Sequence, residues 1–230
     1  MSETKQGSFE TVYHHIDAPT VQDDDYGRAF KKRKLAIPQK GQDELYRSPL
    51  LAYLADSPWS CSRKVDGENI RIQWDGEQAL WNGKSNAFQC SAEFTDYMNR
   101  TFLEEIFEEK FGREKTVTIF GEKMGPKTQG NELGLTEDML VIFDVNINGT
   151  WLCSKDVVEI ASYFIVPTVY DFMPSVLEGC TLRELIKLCA EGNFKDWEGI
   201  VATPLVEMRD QGGHRIIVKI KNKDYLRNDG

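Results

Sequence analysis

Disulfide and zinc chemistry have little to work with in this sequence. The five cysteines (Cys61, Cys90, Cys153, Cys180, Cys189) are odd in number, widely spaced and free of any C-x-x-C pair. That pattern excludes a disulfide framework or zinc cluster as the organising device and suits a reducing, intracellular compartment. Histidine is rarer still: the His14-His15 pair and His214 have no second ligand at metal-site spacing and read as surface or core side chains. No run approaches the roughly 18 apolar residues of a membrane span, and Met1 to Glu10 lacks the apolar centre of a signal peptide. Positive charge is in deficit, with 28 Lys and Arg against 37 Asp and Glu and a formal net charge of -9. A protein that coats nucleic acid by charge alone is therefore excluded, while a local basic site inside an acidic envelope is allowed. There is no internal repeat, no low-complexity tract and no periodic glycine or proline, which sets aside solenoid, collagen-like and disordered classes.

What is present is a 230-residue chain with 40% hydrophobic residues, enough for one domain with a proper core. The expected organisation is a single domain over 1–230, with residues 1–40 a mobile N-terminal segment and no carboxyl-terminal accessory domain. That first segment carries Asp23-Asp24-Asp25 and the basic cluster Lys31-Lys32-Arg33-Lys34, read as solvated surface, with a nuclear import signal or phosphate patch as the alternatives.

Ser48 before Pro49 predicts an N-cap and first helical turn. Ile70, Ile72 and Trp74 alternate with polar residues, and Asp75-Gly76 turns the chain into a strand with Leu80 and Trp81. Phe94, Tyr97, Met98, Phe102, Ile106 and Phe107 recur at helical spacing, predicting one helix between Ser91 and Gly112. Val117 to Glu122 and Met139 to Val145 read as buried strands, and Asn148-Gly149 turns the second back through Trp151. Two helices follow, one opened by Ser154 and one by Thr181 with Glu184 as a capping box. The last strands are Gly199 to Thr203 and His214 to Ile220. Hairpin-joined strands with helices between groups indicate an α+β fold with mainly antiparallel sheets and helices outside.

Gly83-Lys84-Ser85 imitates the end of a phosphate-binding P-loop, but Gln78 stands where that loop needs its first glycine and the surroundings are a hairpin. Arg63-Lys64-Val65-Asp66-Gly67-Glu68-Asn69 is different. A lysine, an acid and a glycine between a strand and a hairpin suit a nucleophilic amine that must meet a phosphorus centre, glycine letting the backbone approach a bulky ligand. Lys-x-Asp-Gly arises by chance on the order of 0.05 times in a chain of this length at average usage. Downstream come Phe120-Gly121-Glu122, Val141-Ile142-Phe143-Asp144-Val145, Glu198-Gly199-Ile200-Val201 and Val218-Lys219-Ile220-Lys221. Lys219 and Lys221, two apart on a strand, share a face that is either solvent or lined for phosphate.

In order and spacing, this series resembles the covalent nucleotidyltransferases: ATP-dependent DNA ligases, RNA ligases and mRNA capping guanylyltransferases. Within them it is similar to the RNA ligase 2-like group found in phages and bacteria, from about Trp59 to Lys223. The resemblance implies a nucleotide cleft flanked by two antiparallel sheets. It makes Lys64 the nucleophile that attacks the α-phosphate of ATP, Glu122 the acceptor of a ribose hydroxyl, Phe143 the ring stacked on adenine, and Glu198 the holder of Mg²⁺ or Mn²⁺ or its water. Lys219 and Lys221 would clamp the α-phosphate, while Asn69 and Asp144 match positions concerned with the later steps on nucleic acid. Arg63 replaces the acid that often precedes the nucleophile, and Lys84 replaces an arginine on the ribose and phosphate, where the two cations are not equivalent. With no further domain expected, the grip on nucleic acid falls to Arg209, Arg215, Lys223, Arg227 or the cluster near residue 31.

The resulting expectation is an ATP-dependent RNA ligase of cytoplasmic RNA repair, with a phage among its possible sources. It joins a 3'-hydroxyl to a 5'-phosphate through lysyl-AMP and adenylylated RNA, acts on RNA ends including a nick in a duplex, and needs neither a membrane nor an obligate protein partner. The rivals are a minimal DNA ligase or GTP-using capping enzyme, separated by base and polynucleotide preference, and a non-catalytic nucleic-acid-binding module, which would bind with steep salt dependence and no nucleotide requirement.

Overall fold

In chain order, helix α1 (Pro49–Leu54) leads to strand β1 (Trp59–Lys64), and β2 (Glu68–Trp74) and β3 (Ala79–Gly83) form a hairpin. Helices α2 (Ala92–Thr101) and α3 (Glu104–Phe111) precede strands β4 (Val117–Met124), β5 (Met139–Ile147) and β6 (Thr150–Trp151). Helices α4 (Ser154–Tyr163) and α5 (Leu182–Ala190), strands β7 (Gly199–Pro204) and β8 (Val218–Lys221) and a last turn α6 (Asn222–Tyr225) complete the order. The computed structural model describes residues 13–24, 34–84, 88–128, 131, 134–173, 177 and 179–227. Asp25, Lys31, Lys32, Arg33 and Ser85 lie outside the described residues, as does the polar start of the chain.

Two compact units divide the chain, each with its own antiparallel sheet and core. The first comprises Asp66–Asp171 with Tyr13 and His14. Its five strands run in the order β3-β2-β4-β5-β6. One face carries Ile70, Ile72, Trp74, Ile119, Ile142 and Val145, packed with Phe94, Met98 and Phe107 from the helices. Each large apolar side chain buried here contributes about 1.5–3 kcal/mol. The second unit takes the described residues of His15–Val65 and Phe172–Gly230, with strands in the order β1-β7-β8. Its core sets Trp59, Ile200, Ala202, Val218 and Ile220 with Leu182, Leu185, Ile186 and Cys189 of α5. Thr20, fully buried, donates to Ala36 O at 2.9 Å and bonds the Tyr225 hydroxyl at 2.8 Å, tying the segment before α1 to α6.

Local chemistry accounts for most boundaries. Ser48 Oγ accepts from Leu51 N–H, and Thr181 and Glu184 form the reciprocal capping box, such a cap being worth about 1 kcal/mol. Asn148 and Gly149 adopt φ of 51° and 83°, the left-handed pair that a tight hairpin requires. Three expectations need correction. Ser91 to Gly112 holds two helices, broken at Phe102 and Leu103. In one continuous helix Phe107 would point about 220° away from Phe94, so the break turns Phe107 and Phe111 back to the core. Cys153, rather than Ser154, occupies the N-cap of α4, without a side-chain cap bond. The final strand begins at Val218, because His214 belongs to a turn in which its N–H donates to Asp210 Oδ1 at 2.9 Å. Among the described residues no helix is long and apolar enough to cross a membrane.

Candidate active site

The three-stranded sheet places its cations by register. Gly199 on the central strand β7 pairs with Lys64 of β1 on one side and Lys221 of β8 on the other. Residues directly opposite in antiparallel strands share a face, so both lysines project on the same side. Val201, two residues on, pairs with Ser62 and Lys219, which continues this face with a third cation. A side chain at Gly199 would not fit: φ is +152°, and an added Cβ would lie 2.2 Å from Ile220 O. The residue just before it, Glu198, carries the carboxylate on which the lysines converge. Lys64 Nζ donates to Oε2 and Lys221 Nζ to Oε1. The three side chains are largely buried, with exposures of 24% for Lys64, 18% for Lys221 and 15% for Glu198.

Burial pushes the Glu198 carboxyl up, but the hydrogen bonds and charges of Lys221 and Lys64 together outweigh it and hold the group below the usual carboxylate range. Burial lowers the pKa of Lys219, and the charge of neighbouring Lys221 lowers it further. Arg63 follows the strand alternation to the opposite face, where its guanidinium lies 5.0 Å over the Trp197 ring. The departure from an acid at this position thus falls on the core side of β1, away from Lys64.

Asn222 is a supporting residue that the sequence did not single out. It is buried; its side-chain amide donates to Phe194 O and Trp197 O, and its backbone N–H donates to Glu198 O at 3.0 Å. It thereby fixes the loop that carries Glu198 to the end of β8. No periodicity or motif marks it.

The five-stranded sheet gathers the second group. Asn69 of β2 and Glu122 of β4 are directly paired, hence on one face. Glu122 Oε1 accepts the Gly67 N–H at 3.3 Å, and a Cβ on Gly67 would lie 2.3 Å from Lys123 O, so the backbone there requires glycine. Phe120 opposes Asp144, and a bulge between Phe120 and Gly121 makes Phe143 the extra residue of β5. Phe143 packs against Phe120 at 6.4 Å between centroids, so it and Asp144 stand on the polar side together with Glu122. Asp144 is buried and Phe143 half-buried. Lys84 is exposed just beyond the end of β3. Tyr13 joins this group unannounced by any motif: its hydroxyl donates to Asp144 Oδ2 at 2.9 Å.

Lys64, Lys219 and Lys221 therefore share one face of one sheet, with the Glu198 carboxylate held by Lys64 and Lys221, and Asn69, Glu122, Phe143 and Asp144 share one face of the other. Of the cations considered for nucleic acid, Arg215 is tied to Glu207 at 2.8 Å and Arg227 to Asp23 at 2.9 Å, whereas Arg209 and Lys223 are exposed. Among the described residues no three His, Cys, Asp or Glu side chains cluster as a metal cage.

A family model described as RNA ligase matches residues 57–221. No curated protein matches the chain in sequence. Among solved structures, a substituted Naegleria gruberi RNA ligase without ligand aligns at a TM-score of 0.57 and 14% identity, covering 97% of this chain and 60% of that one. Another substituted form, with AMP and Mn, aligns at 0.56 and 15%, covering 96% and 60%. The same enzyme with PPi aligns at 0.54 and 16%, again covering 96% and 60%. The chain thus spans about 60% of the length of these relatives, and at such identities the likeness is one of fold.

Proposed function

The chain belongs to the RNA ligase family, and on that premise we propose that it is an ATP-dependent RNA ligase, sealing a 3'-hydroxyl to a 5'-phosphate through lysyl-AMP on Lys64 and adenylylated RNA. The observation that carries this reading is the row Lys64, Gly199, Lys221 with Glu198 between the two ammonium groups. A bare nucleophilic lysine needs cations to meet the charge that builds on a phosphorus centre, and Lys219 and Lys221 supply them on the same face.

In the first step the Lys64 amine forms a bond to the α-phosphorus of ATP and the bond to pyrophosphate breaks. An ammonium has no lone pair, so Lys64 must give up a proton to solvent before it attacks, and Glu198 Oε2, which accepts its hydrogen bond, holds the amine in place. AMP then moves to the RNA 5'-phosphate, and attack by the 3'-hydroxyl joins the strands and releases AMP. In the other unit, Glu122 would accept from a ribose hydroxyl, Phe143 would stack on the base, and Asn69 and Asp144 would serve the RNA steps.

Solved forms of the Naegleria gruberi enzyme carry ATP, AMP and Mn, which supports ATP and a divalent ion here. Glu198 fits such an ion: Mg²⁺ and Mn²⁺ are hard cations commonly held by one or two carboxylates, waters and substrate phosphates rather than by a full protein cage. When bound, the ion would neutralise phosphate charge beside Glu198.

The test is joining of a labelled 5'-phosphate RNA across a nick, in RNA and DNA duplexes, with ATP or GTP. Sealing of RNA ends that requires ATP, with ATP-free controls blank, supports the reading. Sealing confined to DNA, a guanylylated product from GTP, or RNA binding without any nucleotide-dependent product would overturn it.

A further inference from the structure

Tyr13 is 131 residues from Asp144 in sequence, and yet its hydroxyl donates to Asp144 Oδ2 at 2.9 Å. Its ring is held on several sides: stacked on His14 at 4.5 Å, tilted against Phe120 at 5.1 Å, and edge-on to Phe143 at 5.2 Å and Trp151 at 5.6 Å. Packing on these sides fixes where the phenol oxygen lies, and from there it donates to the Asp144 carboxylate. The other oxygen of the pair, Oδ1, accepts Val145 N–H at 3.1 Å. Asp144 is only 4% exposed, so the donors around it govern both its orientation and its charge state. The polar groups that share this face include Arg71 on β2 and Asn82 on β3, in the same cross-strand row as Phe120 and Asp144, the Asn69–Glu122 pair on one side of that row and Gln73, Thr118 and Asn146 on the other, with His14 beside Tyr13.

We propose that Tyr13 is a positioning residue for the RNA-sealing steps, orienting the Asp144 carboxylate through its hydroxyl and the Phe143 ring through its edge. The inference rests on the RNA ligase reading, in which Asp144 serves those later steps. Tyr13 has no part in the lysine row, which belongs to the other unit. Its hydroxyl and its ring therefore have separable consequences: the hydroxyl acts on Asp144, the ring on Phe143.

The experiment uses the full chain as wild type, Tyr13→Phe and Tyr13→Ala. AMP uptake is followed by intact mass, and single-turnover sealing is measured on a pre-adenylylated nicked RNA duplex across pH. Tyr13→Phe is expected to melt and take up AMP within twofold of wild type, yet to seal at least tenfold more slowly at neutral pH. Its acid limb should also move to higher pH, because a carboxylate that loses a donor holds its charge less well. Tyr13→Ala should in addition need a higher ATP concentration for half-maximal uptake. Wild-type sealing and an unchanged pH profile in Tyr13→Phe would overturn the inference, as would equal losses in AMP uptake and sealing, the mark of a merely structural role. A wild-type chain that takes up no AMP would instead overturn the ligase reading itself.

Discussion

Lys64 and Lys221 lie on opposite sides of the same glycine, Gly199, and donate to opposite oxygens of the same carboxylate, that of Glu198. The central strand of the sheet thus supplies an empty position where two long side chains can run together, and the residue before that position supplies their counter-charge. Several consequences can be measured.

Gly199→Ala should damage both fold and site. The added Cβ would meet Ile220 O at 2.2 Å, and φ of +152° is strained for any other residue. Such strain costs of order 1–3 kcal/mol, so thermal melting should fall by several degrees. AMP uptake should fall at least tenfold, since β7 and β8 can no longer hold the lysine row. Unchanged melting and uptake would show that the close approach does not matter.

Lys221→Ala should fold but label poorly. Removal of one preorganised charge from a developing anion typically costs about 10²–10³ in rate. Single-turnover AMP uptake, compared with the melting curve, separates this from unfolding, and near-wild-type uptake would remove Lys221 from the clamp.

Glu198 gives the acid side of the stability profile. Its folded pKa is depressed, so its contribution is present above the unfolded carboxylate pKa of about 4.3 and is lost as pH falls through the folded value. Denaturant unfolding below pH 5 should therefore show a stability slope that Glu198→Gln flattens. Lys219 has a linkage of the same sign in another window: with its folded pKa lowered, the folded chain sheds its proton first, so stability again rises with pH, here through the alkaline window between the folded and unfolded values. An acid limb unaltered by Glu198→Gln would contradict the ion-pair account.

Arg63→Ala should act on stability alone. The side chain stacks on Trp197 on the core face of β1, so its loss should cost about 1 kcal/mol while AMP uptake stays within a few-fold of wild type. Abolished uptake with unchanged melting would place Arg63 in the chemistry after all.

These residues differ in how legible they were. Ser48-Pro49, Thr181 with Glu184, and Asn148-Gly149 announced themselves because caps and tight turns are decided within four residues. The lysine strand was legible as two cations on one face, but not the convergence of Lys64 and Lys221 on Glu198, which depends on the order β1-β7-β8. The break at Phe102 and Leu103 was hidden because the apolar spacing looks continuous until Phe107 must also face the core. Phe143 and Asp144 emerge together through a bulge, a defect that alternation cannot reveal. Tyr13 and Asn222 reach their partners across the fold, and nothing local marked either one.

The most direct measurement is the intact mass of purified wild-type chain and Lys64→Ala after incubation with Mg²⁺ and ATP, GTP or neither, followed by peptide mapping of any adduct. The account predicts gain of a single AMP from ATP alone, mapped to Lys64 and absent from the variant. An AMP adduct that survives in Lys64→Ala, or no adduct from ATP in protein that is not already adenylylated, would contradict it.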